Sequence, residues 1–319
     1  MEMANIARET EPNVVEQSRV VPTLLTKNAD LLTNSRENDM VLVGKTNSDI
    51  VTGFRYVNVG DKRQQSAWFK WKLNNPIKYH FIVNDEYYFL DTDNFLQSVR
   101  LVQTESDPAI VQDNVDFLLH LDNHTTVSSG SFNSATNITT FTGISWLSSV
   151  TSPNYELIIV DSNTNSTRVG RYAKPTVNGT TITVPGKWTD TYHIGYLYEY
   201  SVKFPTLFVT QTQGQGVKAD VNSSLVVHRV KFHFGKIGLY ATTLERVGKS
   251  DYTEVYESTQ LDEYDVSDAP YLEEFVKTVP VYERNKNVEI TLKSSHPAPA
   301  TLRAMSWEGD YSPKYYRRV

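Results

Sequence analysis

Tyr79-His80-Phe81-Ile82-Val83-Asn84-Asp85-Glu86-Tyr87-Tyr88-Phe89-Leu90 decides the fold class of this chain. Two apolar and aromatic runs flank Asn84-Asp85, whose short polar side chains tolerate the positive φ of a two-residue hairpin loop. The stretch reads as a β-hairpin, and the pattern continues on both sides. Upstream, Met40-Val41-Leu42-Val43 and Ile50-Val51-Thr52-Gly53-Phe54-Arg55-Tyr56 are predicted strands. Trp68-Phe69-Lys70-Trp71-Lys72-Leu73 follows a charged turn at Asp61-Lys62-Arg63, and residues 95–102 complete the run. Short strands at close spacing with turn residues between them predict an all-β protein.

Four short strands, the last aromatic, followed directly by another such set, form the pattern of propeller blades. Residues 1–105 are therefore expected to hold partial β-propeller blades, one nearly complete and most of a second. A ring cannot close on that number. Either a longer parent chain supplies the missing blades or the segment pairs with something else. Residues 103–112 form a polar connection. Residues 106–190 are a region rich in Ser, Thr and Asn, with strands at Phe117-Leu118-Leu119 and Tyr155-Glu156-Leu157-Ile158-Ile159-Val160. Residues 127–142 within it read as an exposed hairpin or mobile loop.

Residues 191–319 are predicted to form a C-terminal β region, sandwich-like or barrel-like. Its longest strand spans 225–234. In the second half of that strand Val230, Phe232 and Phe234 face one side, while Arg229, Lys231 and His233 face the other. Further strands are expected at 236–244, 252–257, 288–293 and 301–307. Ala269-Pro270-Tyr271-Leu272-Glu273-Glu274-Phe275-Val276 is predicted to make two helical turns, and little else in the chain reads as helix.

Composition narrows the function. A chain of 319 residues is long enough for about two domains and a sizeable core. Aromatics at 12%, with 19 Tyr and 13 Phe, exclude a disordered protein. The formal net charge of -6 argues against a protein that clamps nucleic acid, but is compatible with a lumen past which DNA slides. The chain contains no cysteine, which removes disulfides and thiolate metal sites. No apolar run approaches a membrane span, and Met1-Glu2-Met3-Ala4-Asn5 lacks the regions of a signal peptide. The chain is thus expected to be soluble and to reach any exterior role by assembly or lysis. Sequons at Asn123, Asn137, Asn165, Asn178 and Asn222 read as turn chemistry in the absence of a secretion signal.

A search for catalytic chemistry finds little. Gly214-Gln215-Gly216 is a loop with no helix after it, so it makes no phosphate cradle. His120 and His124 lack a third metal ligand nearby, and read as structural or exposed. Asp85-Glu86 and Glu273-Glu274 are adjacent in sequence, which on a strand points them to opposite faces and rules out a hydrolase dyad. The tyrosines of 192–200 could stack on sugars, but aromatic strands more often pack cores and interfaces. No catalytic, cofactor or metal residues are assigned.

The carboxy-terminal end is more specific. Leu302-Arg303-Ala304-Met305-Ser306-Trp307-Glu308-Gly309-Asp310-Tyr311-Ser312-Pro313 leads to Arg317-Arg318-Val319, far more aromatic than a frayed tail. Trp307 and Tyr311 are expected to dock the segment onto protein, leaving Arg317 and Arg318 to pair with carboxylates of a neighbour. This stretch resembles the carboxy terminus of the tail tubular protein B family, the tail nozzle of short-tailed podovirus phages. Gln65-Ser66-Ala67-Trp68-Phe69-Lys70-Trp71 resembles that family's recurring blade-closing strand, and Glu2-Met3-Ala4-Asn5-Ile6-Ala7-Arg8-Glu9 an internal segment of it. Family members are much longer and carry a large amino-terminal portion.

The resemblance implies a virion structural subunit in a homo-oligomeric ring, six-fold about the tail axis. Its channel would let double-stranded DNA leave for the host without specific binding. Contacts with a tail adaptor protein and with tail fibres are also implied, and no enzyme activity. Trp68, Trp71, Trp307, Tyr311, Arg317 and Arg318 are the expected assembly contacts. The alternative is a host-glycan-binding or glycan-degrading β-protein of the tail.

Overall fold

The computed structural model describes all residues except 1, 6–12, 17–22, 26, 60–61, 103–106, 113–114, 146–155, 163–168, 214–215, 257–270 and 314–319. The chain divides into two compact units, residues 1–105 and 106–319. Every strand pairing among the described residues is antiparallel, and helix there is confined to 3-10 turns such as Asn285–Asn287.

In the first unit, β1 (Glu2–Asn5) and β2 (Asn13–Glu16) pair with each other. Six strands then form one meander: β3 (Leu31–Ser35), β4 (Met40–Gly44), β5 (Ser48–Val59), β6 (Lys62–Val83), β7 (Glu86–Asp91) and β8 (Leu96–Arg100). The two sets of strands expected as separate blades are thus hydrogen-bonded as one continuous sheet. The hairpin that decided the fold class is present, with Asn84 at φ 54. Residues 68–73 and 79–83, expected as two strands, belong to the single 22-residue β6. The strand passes through Pro76 because its partner changes there. Its first part pairs with β5 and its last part with β7, so the missing N–H of Pro76 costs no ladder bond, while its carbonyl accepts from Thr92 N at 2.9 Å. The core gathers Met40, Leu42, Val51, Ile77, Tyr87 and Phe89, with Phe69 and Trp71 packed against it.

Gly53 lies opposite Phe69 in the β5–β6 register, and a Cβ at Gly53 would come within 2.1 Å of the Phe69 ring. The ring therefore lies over bare backbone, an arrangement only glycine permits. Gly53→Ala is expected to cost about 1–3 kcal/mol in urea unfolding. Most of that loss should vanish in a Phe69→Ala background; a loss that persists there would mean backbone effects dominate.

In the second unit a small hairpin comes first, β9 (Ala109–Gln112) with β10 (Val115–Leu118). A sandwich follows, built from β11 (Asp122–Val127), β12 (Ser131–Asn133), β13 (Ile138–Phe141), β14 (Leu157–Val160), β15 (Tyr172–Ala173), β16 (Thr176–Asn178), β17 (Thr181–Pro185) and β18 (Tyr192–Tyr196). One sheet has the order β11-β18-β14-β15 and the other β12-β13-β17-β16. Their inner faces share one core in which Val127, Ile159, Ile194 and Tyr192 meet Phe141, Ile182, Val184 and Trp188. Asn123 (φ 45) and Asn137 (φ 53) turn the chain here, as the turn reading of the sequons expects.

The remaining strands build a second sandwich: β19 (Tyr200–Lys203), β20 (Thr210–Gln213), β21 (Gly216–Ala219), β22 (Ser224–Ile237), β23 (Tyr240–Arg246), β24 (Tyr252–Tyr256), β25 (Phe275–Arg284), β26 (Val288–Ser294) and β27 (Ala300–Ser312). Sheet β19-β26-β23-β24 faces sheet β25-β22-β27, with β20 and β21 a separate hairpin. Leu225, Val227, Val230, Phe232 and Phe234 of β22 fill the core against Leu244, Ile290, Leu292 and Val279. A third cluster holds the outward Ile158 and Val160 of β14 together with Phe117, Leu197, Tyr271 and Ala298. It joins the two sandwiches inside this unit.

The helix expected at 269–276 is corrected. Residues 269 and 270 lie outside the described residues, and from Tyr271 onward the chain is extended. Leu272 exchanges two backbone hydrogen bonds with Ile237, at 2.9 and 3.0 Å, and Phe275 opens β25. Tertiary burial outweighs local preference: Tyr271 is buried with its hydroxyl donating to Gly170 O at 3.0 Å, which a surface helix would not allow.

Candidate assembly surfaces

Among the described residues strand β8 is one edge of the six-stranded sheet, bonded only to β7. Edge strands offer unpaired main-chain donors and acceptors, and soluble proteins usually guard them with charge, proline or a bulge. This one has a regular register and a single charge, Arg100. Phe95, Leu96, Val99 and Val102 along it are between 38% and 61% exposed. The sequence shows these residues as a strand but not its position at an edge, because position depends on long-range pairing.

In the middle of the same sheet β5 and β6 run on past the end of β4 as a two-stranded ribbon. Strand β4 pairs with β5 only as far as Arg55, and Val57–Val59 have no described strand partner except β6. Trp68 lies at the base of this ribbon, half-buried, its ring 4.7 Å from Phe54. Trp71 is three residues on, which on a strand places it on the opposite face. Its ring lies 5.1 Å from Phe69 and 5.8 Å from Tyr87, against the core. The two tryptophans therefore do not share one patch.

The carboxy-terminal motif is a strand docked on its own chain. Trp307 and Tyr311 pack on the core beneath β22, and Tyr311 Oη donates to Asp220 Oδ2 at 2.7 Å. Gly309 crosses β22 so closely that a Cβ would meet Val226 O at 2.2 Å. On the outer face Glu308 accepts from Arg229 Nε at 2.6 Å and from Lys231 Nζ at 2.5 Å, and these bonds hold its carboxyl below the usual range. His228 lies 3.2 Å from Asp310, Arg303 meets Glu274 and Lys277 meets Glu254. Alternation of cations along β22 was legible; the carboxylates that face them, Glu308 and Asp310, come from β27 and were not. Arg317 and Arg318 lie outside the described residues.

The residues weighed for chemistry are scattered. His120 Nδ1 is 3.0 Å from Tyr198 Oη, and His124 has its ring 6.2 Å from that of His193. Among the described residues no three His, Asp or Glu side chains are grouped to hold a metal ion. Asp85 accepts from Asn38 Nδ2 at 3.0 Å, and Glu86 from the Tyr88 hydroxyl. Tyr192 and Tyr196 are core residues; Tyr198 and Tyr200 are exposed. No described helix is long and apolar enough to cross a membrane.

None of the curated proteins matches the chain. The family model described as bacteriophage nozzle protein does, over residues 1–318. That span takes in the meander sheet, both sandwiches and the docked carboxy-terminal strand, so the chain belongs to the bacteriophage nozzle protein family and is a structural protein of the virion tail.

Proposed function

We propose that the chain is a subunit of a ring-shaped tube, six-fold about the tail axis, whose channel conducts the phage genome into the host. It acts by assembly and has no catalytic step. The observation that carries this reading is family membership over residues 1–318. A cyclic ring needs a head-to-tail interface, in which one patch of a subunit meets a different patch of the next. The open apolar edge at β8 suits one half of such an interface, with the neighbour's strand completing the sheet. Trp68 at the ribbon base and Arg317 and Arg318 at the chain end are candidates for the other half. A tail adaptor protein and tail fibres are the further partners the reading implies. Native mass spectrometry and image averaging test it: a ring with a central channel is expected, and a closed dimer would overturn it.

The outer face of sheet β25-β22-β27 is our candidate for the channel wall. Arg229, Lys231 and Arg303 on it each face a carboxylate. A bare cation row would grip phosphates and retard a passing duplex, whereas paired charges leave little net attraction. Glu308→Gln frees two cations at once and is expected to slow genome ejection in single-particle assays while leaving ring assembly intact. Ejection at the parental rate from assembled Glu308→Gln particles would place this face away from the lumen.

A further inference from the structure

A pocket of about 580 Å³ opens at one end of the first sandwich, between the loop after β11, the end of β14 and the loop before β18. The described residues that line it are all of polar type, with Ser128, Ser129, Ser162, Asp190, Thr191 and His193 the groups that matter here. Its walls are fixed. Ser129 sits at φ 62, in the left-handed region a non-glycine residue rarely adopts. Gly130 lets its loop touch the opposite one: a Cβ there would come within 2.3 Å of Trp188 O. Trp188 is itself pinned, its backbone N donating to Thr139 Oγ1 at 2.9 Å and its Nε1 donating to Pro185 O at 2.8 Å. The Arg171 guanidinium covers its ring at 4.3 Å. Ser162 Oγ and His193 Nδ1 are 2.6 Å apart, which fixes the imidazole and leaves Nε2 as its remaining polar atom.

We propose that this pocket binds neutral sugars through their vicinal hydroxyls. The lining selects the class by elimination. An anion would meet Asp190, and no lysine or arginine among the described lining residues offsets it. A metal cation would find one carboxylate, too few for a hard divalent ion. An apolar ligand would cover the Asp190 carboxylate and the hydroxyls without pairing them. Hydroxyl groups both donate and accept, as the serine and threonine side chains do, and a carboxylate accepts from two adjacent hydroxyls. Burial, and next the nearby His124, hold His193 below its usual pKa, so at neutral pH it is uncharged and able to serve the same network.

The pocket is a binding site and not a hydrolytic one, because glycoside cleavage needs a second carboxyl across the sugar and the lining supplies only Asp190. Trp188 and Tyr192 lie beneath the site, buried, and offer no stacking platform, so affinity for one sugar unit is expected in the millimolar range. Repetition round the ring proposed above would multiply such weak contacts. The pocket itself does not rest on that ring.

Saturation-transfer NMR on the full chain, with glucose, galactose, mannose and N-acetylglucosamine as probes, is the test. At least one sugar is expected to give a signal, and Asp190→Ala is expected to weaken binding about tenfold or more. Asp190 and Thr191 are exposed, so Asp190→Ala and Thr191→Val should both keep the parental melting curve. Silence from all four probes would overturn the proposal, and so would a signal that survives Asp190→Ala unchanged.

Discussion

Lowering the pH from about 7.5 to about 5 is expected to remove about 2 kcal/mol of unfolding free energy from each of the two units. The groups responsible are His80 in the first unit and His296 in the second. His80 is 2% exposed, with Nδ1 3.0 Å from Tyr87 Oη, and burial pushes its pKa down to about 4 against a weaker opposing pull from the Leu31 backbone. His296 is 7% exposed, accepts from Ala298 N at 3.1 Å and meets Tyr172 edge-on, and burial takes it to about 3. Unfolded, each titrates near 6.5, the ordinary value. Between 6.5 and the folded value, the unfolded chain takes up a proton that the folded chain refuses. Stability is therefore complete above about pH 6.5 and falls as pH drops, by about 1.4 kcal/mol per pH unit for each histidine.

His120 and His193, both lowered chiefly by burial, add to the loss in the second unit with the same sign. Urea unfolding at the two pH values measures the effect, and the substitutions assign it. His80→Gln should flatten the pH dependence of the first unit alone, and His296→Gln that of the second. A first unit equally stable at both pH values would show that His80 finds a proton-bearing arrangement in the folded state.

The hairpin at Asn84-Asp85 and most strands were legible because they are local: periodicity, turn chemistry and aromatic runs lie within a few residues of one another. Strand β22 shows where that ends. Its alternation is clear from Val230 to Phe234 but breaks upstream, since Leu225 and Val227 are out of phase with it. The structure supplies the reason, a register shift between Val227 and Arg229 that rotates the strand by one residue and returns both to the core. Opposite, Tyr282 takes up the mismatch at φ 48, an exposed aromatic in left-handed backbone that no propensity would place there.

Partners from distant strands were hidden in the same way. Glu308 reads as one carboxylate in an aromatic tail until β27 is laid beside β22, 77 and 79 residues away in sequence, where it meets Lys231 and Arg229. The polar pocket escaped altogether. Its serines and threonines look like the rest of the Ser/Thr-rich region, and only the close approach of Gly130 to Trp188 brings two of its loops together. The helix expected at 269–276 failed for the converse reason: a local pattern existed, and pairing of Leu272 with Ile237 overrode it.

Substituting Leu96 and Val99 together with lysine is expected to abolish ring assembly while leaving the first unit folded. Both side chains project from an edge, at 61% and 38% exposure, so their loss removes little core packing and should change unit stability by less than about 1 kcal/mol. In an assembled ring the same positions would lie between strands of two subunits. Two ammonium groups there lose water without a partner, at about 3 kcal/mol or more for the pair, which is over a hundredfold in dissociation constant at each interface. A ring closes only when all its interfaces hold, so the effect on the closed form is steeper than on any one contact. An edge strand of five residues is too small to be the whole interface, which needs on the order of 1,200 Å² or more of buried surface. Its contribution is orientation: main-chain bonds fix the register in which the larger surfaces meet. Native mass spectrometry of the double variant should show monomer where the parent shows rings, with an unchanged urea midpoint for the first unit. Rings that persist would move the interface to other surfaces, with Trp68, Arg317 and Arg318 the next to substitute.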